Sequence, residues 1–305
     1  MDDVRLIAID WGTSSARAYA LDSLGNVVSE RSAPLGVQKL TGGGFAEALS
    51  VLCGGVVPIN VPMIASGMIG SRQGWIEAPY CKCPSGFDAI AAALTSVPGT
   101  NLVIVPGLIC QGVNEVPDVI RGEETQVLGA LPDRIGSRQV IVLPGTHSKW
   151  IIAGPAGVET FATFMTGELY AVLREHSILG RLARPGVDDA ALDRGVRHSL
   201  RQDAAVTHDL FSARTLALTE ALAPTGVADY LSGLLLGAEI AAARAWLARQ
   251  GLESATVMLL GDAALMVRYR RALALAEIDS VLGPSDAAAR GLWRIARHAG
   301  LLTDG

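Results

Sequence analysis

Twice along the chain a short apolar run ends in a bend of glycine and hydroxyl residues and then resumes as an extended segment. In the first half, residues 6–10 read as a buried strand, Gly12-Thr13-Ser14-Ser15 as the bend, and residues 16–22 as the returning strand. Ser23-Leu24-Gly25-Asn26 is a turn signal, after which residues 27–31 continue the meander. In the second half, residues 139–143 lead into Pro144-Gly145-Thr146-His147, and residues 149–153 and 158–164 follow as strands. Each meander is succeeded by helices and buried strands. In the first half these are helices over 45–53 and 87–94 and strands over 61–65 and 102–105, with Gly42-Gly43-Gly44 before the first helix. In the second they are a mainly helical stretch over 167–222, helices over 231–249, 263–275 and 285–299, and a strand over 256–260. A helix over 122–131 follows Pro117. No sequence repeat accompanies this echo, so it predicts an α/β chain of two structurally related lobes, 1–120 and 121–305, hinged near 117–122.

Composition narrows the function. Half of the 305 residues are apolar and 18% are charged, so each lobe can bury a core and global disorder is excluded. A net charge of −5 gives no electrostatic footprint for nucleic acid. An anionic substrate must then be held by local cations and backbone N–H groups. The most apolar long stretch, 230–248, carries Glu239 and Arg244 and reads as a buried or half-buried helix, not a membrane span. The opening MDDVRLIAIDWG lacks the basic and apolar regions of a signal peptide, which points to the cytoplasm. Cys53, Cys81, Cys83 and Cys110 offer only one close pair and no second pair to complete a zinc site, so reduced buried thiols are expected.

Four constellations can carry chemistry. In Asp10-Trp11-Gly12-Thr13-Ser14-Ser15, Gly12 lets backbone approach a phosphate, the N–H groups and hydroxyls of Thr13 and Ser14 can donate to it, and Asp10 can hold Mg²⁺ through water. An ordinary hairpin turn capped by Asp10 uses the same letters. Gly145 and Thr146 form the second bend, with His147 and Lys149 beside it; Lys149 is either a ligand for a phosphate or carboxylate or a solvated strand lysine. Glu123 and Glu124 open the helix after Arg121-Gly122, where acids suit the helix dipole, and where either could accept a proton from a substrate hydroxyl. Finally Gly261-Asp262 joins a buried strand to a helix, a junction that places backbone beside an adenosine or is plain strand–turn–helix.

In this order the signals resemble the actin-like ATPase and sugar-kinase superfamily, in which two hairpins grip phosphates, an acid near the hinge is the base, and a late glycine junction borders adenosine. The second bend departs from the superfamily's Asp-Gly-Gly-Thr form, having Leu143-Pro144-Gly145-Thr146. Within the superfamily the chain is similar over nearly its whole length to the 2-dehydro-3-deoxygalactonokinase family. The resemblance rests on Ile9-Asp10-Trp11-Gly12-Thr13-Ser14, Ser66-Gly67-Met68-Ile69-Gly70-Ser71-Arg72-Gln73-Gly74-Trp75, residues 121–126, residues 143–150 and Phe164-Met165-Thr166-Gly167-Glu168-Leu169-Tyr170. The long segment 66–75 is its most specific part.

The resemblance implies two actin-like (ribonuclease H-like) lobes with mixed sheets flanked by helices and a cleft between them. It implies a kinase that transfers the γ-phosphate of ATP, with Mg²⁺, to the 6-hydroxyl of 2-dehydro-3-deoxygalactonate in galactonate breakdown. The sugar acid is expected near Gly67, Met68, Arg72 and Trp75, with Arg72 either paired to its carboxylate or a surface arginine, and Trp75 either against its carbon chain or a core tryptophan. Neither nucleic acid nor membrane is an expected partner, and the oligomeric state is open, a homodimer included. Two competing readings use the same scaffold: an exopolyphosphatase-like hydrolase, and a non-catalytic sugar-acid sensor.

Overall fold

A computed structural model describes residues 4–40, 43–54, 60–112, 115–134 and 136–302. Gly42 of the glycine run and the first three residues of the N-terminal motif lie outside them. In chain order the elements are β1 (Leu6–Trp11), β2 (Ala16–Leu21), β3 (Val27–Ala33), α1 (Phe45–Leu52), β4 (Met63–Gly67), β5 (Tyr80–Lys82), α2 (Phe87–Ala92), β6 (Thr95–Ser96), β7 (Leu102–Ile104), β8 (Gly107–Gln111), β9 (Pro117–Ile120) and α3 (Glu123–Ala130). There follow β10 (Gln139–Leu143), β11 (Ser148–Gly154), β12 (Gly157–Phe164), α4 (Thr166–His176), α5 (Asp189–Ser199), α6 (Val206–Asp209), α7 (Ser212–Leu218), α8 (Val227–Arg249), β13 (Val257–Leu259), α9 (Ala263–Leu275), β14 (Ser280–Leu282) and α10 (Ala287–His298).

These build two compact units, one of Met1–Arg138, Ile152–Phe161 and Pro284–Gly305, the other of Gln139–Ile151 and Ala162–Gly283. The first unit holds a mixed six-stranded sheet in the order β3-β2-β1-β4-β7-β6. The first meander forms as the sequence predicts: β1 pairs antiparallel with β2, and β2 with β3. On its other side β1 pairs in parallel with β4, and β4 with β7. Central strands need both faces covered, and β1, LIAIDW, is apolar at nearly every position accordingly. On one face Trp11, Ala18 and Met63 pack with Phe45, Leu49 and Leu52 of α1. Helix α10, from the far end of the chain, packs on β1, β2 and β4 and on α2 and α3.

The observed units differ from the expected lobes at 120/121. Residues 117–120, read as hinge, include β9, which pairs antiparallel with β8 in a three-stranded sheet, β5-β8-β9. Helix α3 belongs to the first unit because α10 holds it there. A Cβ on Gly129 would lie 1.9 Å from the Ala287 carbonyl oxygen, and one on Gly291 1.9 Å from that of Thr125, so the two helices touch backbone to backbone. Arg294 Nη1 then donates to the carbonyls of Leu128 (2.6 Å) and Leu131 (2.7 Å), closing the end of α3.

A second sheet has five strands in the order β12-β11-β10-β13-β14, of which β10, β13, β14 and the start of β11 belong to the second unit. Its strands β10, β13 and β14 run parallel. Helix α8 places Val227, Tyr230 and Leu234 in a core shared with Ala191 of α5 and Ala213 of α7. The segment Pro224–Arg249 is long and apolar enough to cross a membrane, yet 61% of its most apolar stretch is buried against protein.

Candidate active site

In each unit the residues singled out by sequence gather at the carboxyl ends of neighbouring parallel strands, where open α/β sheets bind their ligands. In the first unit the register sets Asp10 beside Ser66 and Trp11 beside Gly67. The bend after β1 is closed by the Gly12 N–H donating to the Ser15 carbonyl (2.9 Å). A following segment lies along its inner side: the N–H groups of Val37 and Gln38 donate to the carbonyls of Gly12 and Thr13, both at 3.1 Å. The side chains of Thr13, Ser14 and Ser15 are left exposed.

Asp10, one residue before the end of β1, is half-buried and stands opposite Arg17 on β2. Burial pushes its carboxyl up to about 6; Arg17 works against that rise and the nearby Glu123 adds to it. Glu123 and Glu124 sit in the first turn of α3. Glu124 is fully buried and takes the Gly122 N–H on its carboxylate, at 2.9 Å to Oε1 and 2.7 Å to Oε2. Burial, and then the charge of Glu123, push the Glu124 carboxyl up to about 8. Glu123 is less buried; its Oε2 accepts the Arg121 N–H at 3.0 Å, and its charge is felt at Asp10. The pair therefore divides by burial: one carboxyl lies wholly inside the protein, the other is half-buried.

Gly122 has φ +111°, a region L side chains rarely adopt, and a Cβ there would stand 3.2 Å from the Gly67 Cα. Gly67, at φ +93°, would drive a Cβ to 2.6 Å from the Trp11 carbonyl oxygen. Two glycines thus let β1, β4 and α3 meet at the backbone. The buried hydroxyls complete the joint: Thr125 Oγ1 donates to the Gly122 carbonyl (2.6 Å) and lies 3.3 Å from Ser66 Oγ.

The specific segment 66–75 leaves this joint as a tight loop. Met68–Gly70 is a single 3-10 turn, and the Trp75 N–H returns to the Ile69 carbonyl at 2.9 Å. Met68 and Trp75 pack on the core edge, and the Trp75 ring stacks on Phe45 with centroids 6.0 Å apart. Arg72 points outward, its side chain 87% exposed, and pairs with Glu77 at 3.0 Å. Arg121, unremarked in sequence except as a neighbour of the acids, donates to the Ala78 carbonyl (2.9 Å) beneath the Tyr80 ring. It fastens the end of this loop to the start of α3.

In the second unit the Gly145-Thr146 bend follows β10, and Gly261 follows the adjacent β13. The nearest atom to a Cβ built on Gly261 would be the Pro144 carbonyl oxygen, at 3.7 Å, so the two sequence-predicted elements stand together with room above Gly261. Asp262 caps α9, accepting the Ala264 and Leu265 N–H groups at 3.0 Å each. Lys149 is buried, 6% exposed, and its Nζ donates to the His147 carbonyl at 2.9 Å. The motif 164–170 covers the bend. A Cβ on Gly167 would fall 2.3 Å from the Gly145 carbonyl oxygen, the Glu168 N–H donates to the Thr146 carbonyl (2.9 Å), and the Glu168 carboxylate meets His147 Nε2 at 2.5 Å.

Beneath the bend lies a group sequence reading passed over. Glu239, mid-way along α8, accepts Trp150 Nε1 at 2.8 Å, Tyr269 OH at 2.9 Å and Ser148 Oγ at 3.1 Å. Burial raises its carboxyl, and these donors with Thr166 lower it. One acid inside a long apolar stretch was the available signal, since a buried charge demands partners.

Comparison with known proteins bears on this arrangement. The family model for 2-keto-3-deoxy-galactonokinase matches residues 10–295. The 2-dehydro-3-deoxygalactonokinase of Escherichia coli (strain K12) is 34% identical over 296 residues, spanning 97% of this chain and 98% of the relative. A Rhizobium meliloti (strain 1021) protein named "Probable 2-dehydro-3-deoxygalactonokinase DgoK1" is 36% identical over 301 residues, spanning 94% of this chain and 97% of the relative. The crystal structure of a "putative 2-dehydro-3-deoxygalactonokinase protein" from Sinorhizobium meliloti superposes with a TM-score of 0.86 at 36% identity, over 96% of this chain and 98% of that one.

Proposed function

The chain belongs to the 2-keto-3-deoxy-galactonokinase family, of actin-like fold, and from that membership we propose that it transfers the γ-phosphoryl group of ATP to the 6-hydroxyl of 2-dehydro-3-deoxy-D-galactonate. The observation that supports this chemistry best is the divided acid pair at the start of α3, one member fully buried and pinned, the other half-buried with an oxygen on the Arg121 N–H.

In the first unit Glu123 is assigned as the general base. It takes the proton from the 6-hydroxyl as that oxygen forms its bond to phosphorus and the bridging oxygen leaves with ADP. Glu124, out of reach of substrate and bound at both oxygens to the Gly122 N–H, holds the turn that aims Glu123. Gly67, Met68 and Trp75 border the sugar acid, and Arg72 exchanges Glu77 for the substrate carboxylate. Gly12, Thr13 and Ser14 offer N–H and O–H donors to phosphate oxygens. In the second unit Gly145 and Thr146 do the same, Gly261 and Asp262 flank the adenosine, and Lys149 supplies positive charge under the bend.

Among the described residues no group of three or more His, Cys, Asp or Glu could cage a metal ion. Mg²⁺ does not need one, because it keeps several waters and takes one or two carboxylates with substrate phosphates. Asp10 fits that role: its carboxyl, raised to about 6 by burial and by Glu123, is one whose charge a dication would compensate. The ion, when bound, draws charge off the transferring phosphoryl group.

The test is ADP release, measured by a coupled assay across aldonates and keto-deoxy aldonates. Turnover that requires 2-dehydro-3-deoxy-D-galactonate is expected. Phosphate release that ignores every sugar acid would replace the kinase with the hydrolase reading, and preference for the gluco epimer would move the substrate alone.

A further inference from the structure

Glu239 is 3% exposed in the middle of α8. A carboxylate at such a place is no asset to stability by itself, since an apolar residue of similar volume often serves as well or better. What distinguishes it is where its donors come from. Ser148 opens β11 directly after the second bend, and Trp150 lies two residues further along the same strand. Thr166 opens α4, the helix whose Gly167 and Glu168 close over Gly145, Thr146 and His147. Tyr269 lies on α9, the helix that begins at Gly261-Asp262, and its hydroxyl also meets Ser148 Oγ at 2.5 Å. One carboxylate therefore ties together the bend, its cover and the helix that carries the glycine junction.

We infer that Glu239 is a positioning residue for the nucleotide: it fixes Gly145-Thr146 against Gly261-Asp262 without touching the ligand. The inference rests on the reading above that the second unit holds ATP. Its physical basis is that hydrogen-bond donors contribute to phosphate binding in proportion to how well they are held in place beforehand. The Glu239 network lies inside the unit, where charge-assisted hydrogen bonds are strong and a missing partner is costly.

The experiment uses the full chain and three readouts: ADP affinity by calorimetry, the KM for ATP and for the sugar acid, and Tm. Glu239→Gln removes the charge and turns one acceptor oxygen into a donor. It is expected to weaken ADP binding by about tenfold, the size of effect that losing charge-assisted hydrogen bonds produces. The KM for ATP should rise with it, while the KM for the sugar acid stays within about twofold, since uniform binding to that substrate is untouched. Tyr269→Phe and Thr166→Val, each removing one donor, should show the same split to a smaller degree. They carry the test if Glu239→Gln does not fold. A lower Tm with unchanged ADP affinity in all variants that fold overturns the inference and leaves Glu239 as a stability element only. Failure of the unaltered chain to bind any adenine nucleotide overturns this and the nucleotide assignment together. Nucleotide binding that responds to Glu239→Gln, with no sugar acid turned over, sinks the substrate assignment alone.

Discussion

Glu123 and Glu124 are adjacent in sequence and chemically alike, and their roles separate only through burial. Glu123→Gln should reduce kcat by about a hundredfold or more, the usual range for a general base, with nucleotide affinity little changed. Glu124→Gln should lower kcat less and alter stability instead. The free-chain value for this carboxyl is 4.5 and the folded value about 8, so between those pH values the folded chain holds a proton that the unfolded chain has released. Stability from this group is complete below about pH 4.5 and is lost as pH rises through about 8. The Tm of the unaltered chain should therefore fall over that window, and the Tm of Glu124→Gln should fall less; equal slopes would refute the assignment. The sequence located this pair by the helix-start signal. It left the two open because burial of one depends on the positive φ of Gly122 and on packing that no local pattern records. Arg72 shows the same limit. Its place in an unusual loop was legible, whereas its pairing with exposed Glu77 was not, and Arg72→Ala should raise the KM for the sugar acid more than that for ATP.

Elements were legible where a single apolar run ends in strong punctuation. Residues 139–143 and 263–275 come out with the predicted bounds, the first stopped by Pro144 and the second started by the Asp262 cap. Strands β5, β8 and β9 escaped reading because they span three to five residues and contain exposed polar positions, Gly107 or Pro117, with no period to detect. That missed sheet matters, since Tyr80 on β5 covers Arg121, which joins the loop 66–75 to α3. The element joint itself rests on Gly122. Gly122→Ala must adopt a conformation costly for alanine and place a methyl 3.2 Å from the Gly67 Cα. A loss of about 1–3 kcal/mol in unfolding free energy is expected, with a drop in kcat from the displaced α3 start. Chemical denaturation together with kcat checks it, and a variant with normal turnover and stability would show that this junction is not strained.

For the whole molecule, the decisive fact is that the first unit is not contiguous in sequence. It takes α10 from the far end of the chain, after the second unit is complete. No sequence pattern revealed this, because the α3–α10 pairing joins residues far apart in the chain, 166 positions in the Arg294–Leu128 hydrogen bond. The helix was predicted; its partner was not. Its contribution is large: Leu292, Ile295 and Ala296 are wholly buried, and Trp293 nearly so. Each large apolar side chain exposed would cost about 1.5–3 kcal/mol, so losing the helix together with the Arg294 hydrogen bonds to α3 is comparable with the roughly 5–15 kcal/mol by which a domain is stable. A chain ended after Gly283 should therefore fail to fold its first unit, not merely lose a tail. Limited proteolysis should then cut the sequence before Arg138 rapidly, and the sugar acid should no longer bind, because α3 and its Glu123 have lost their support. Arg294→Ala is the milder form. It strips two carbonyls of α3 and Asp133 of one shared partner, and should lower Tm and kcat together while leaving the Glu239 network of the second unit intact. Retained cooperative melting and turnover in the shortened chain would show that α3 stands without α10, and that the first unit closes on contacts other than these.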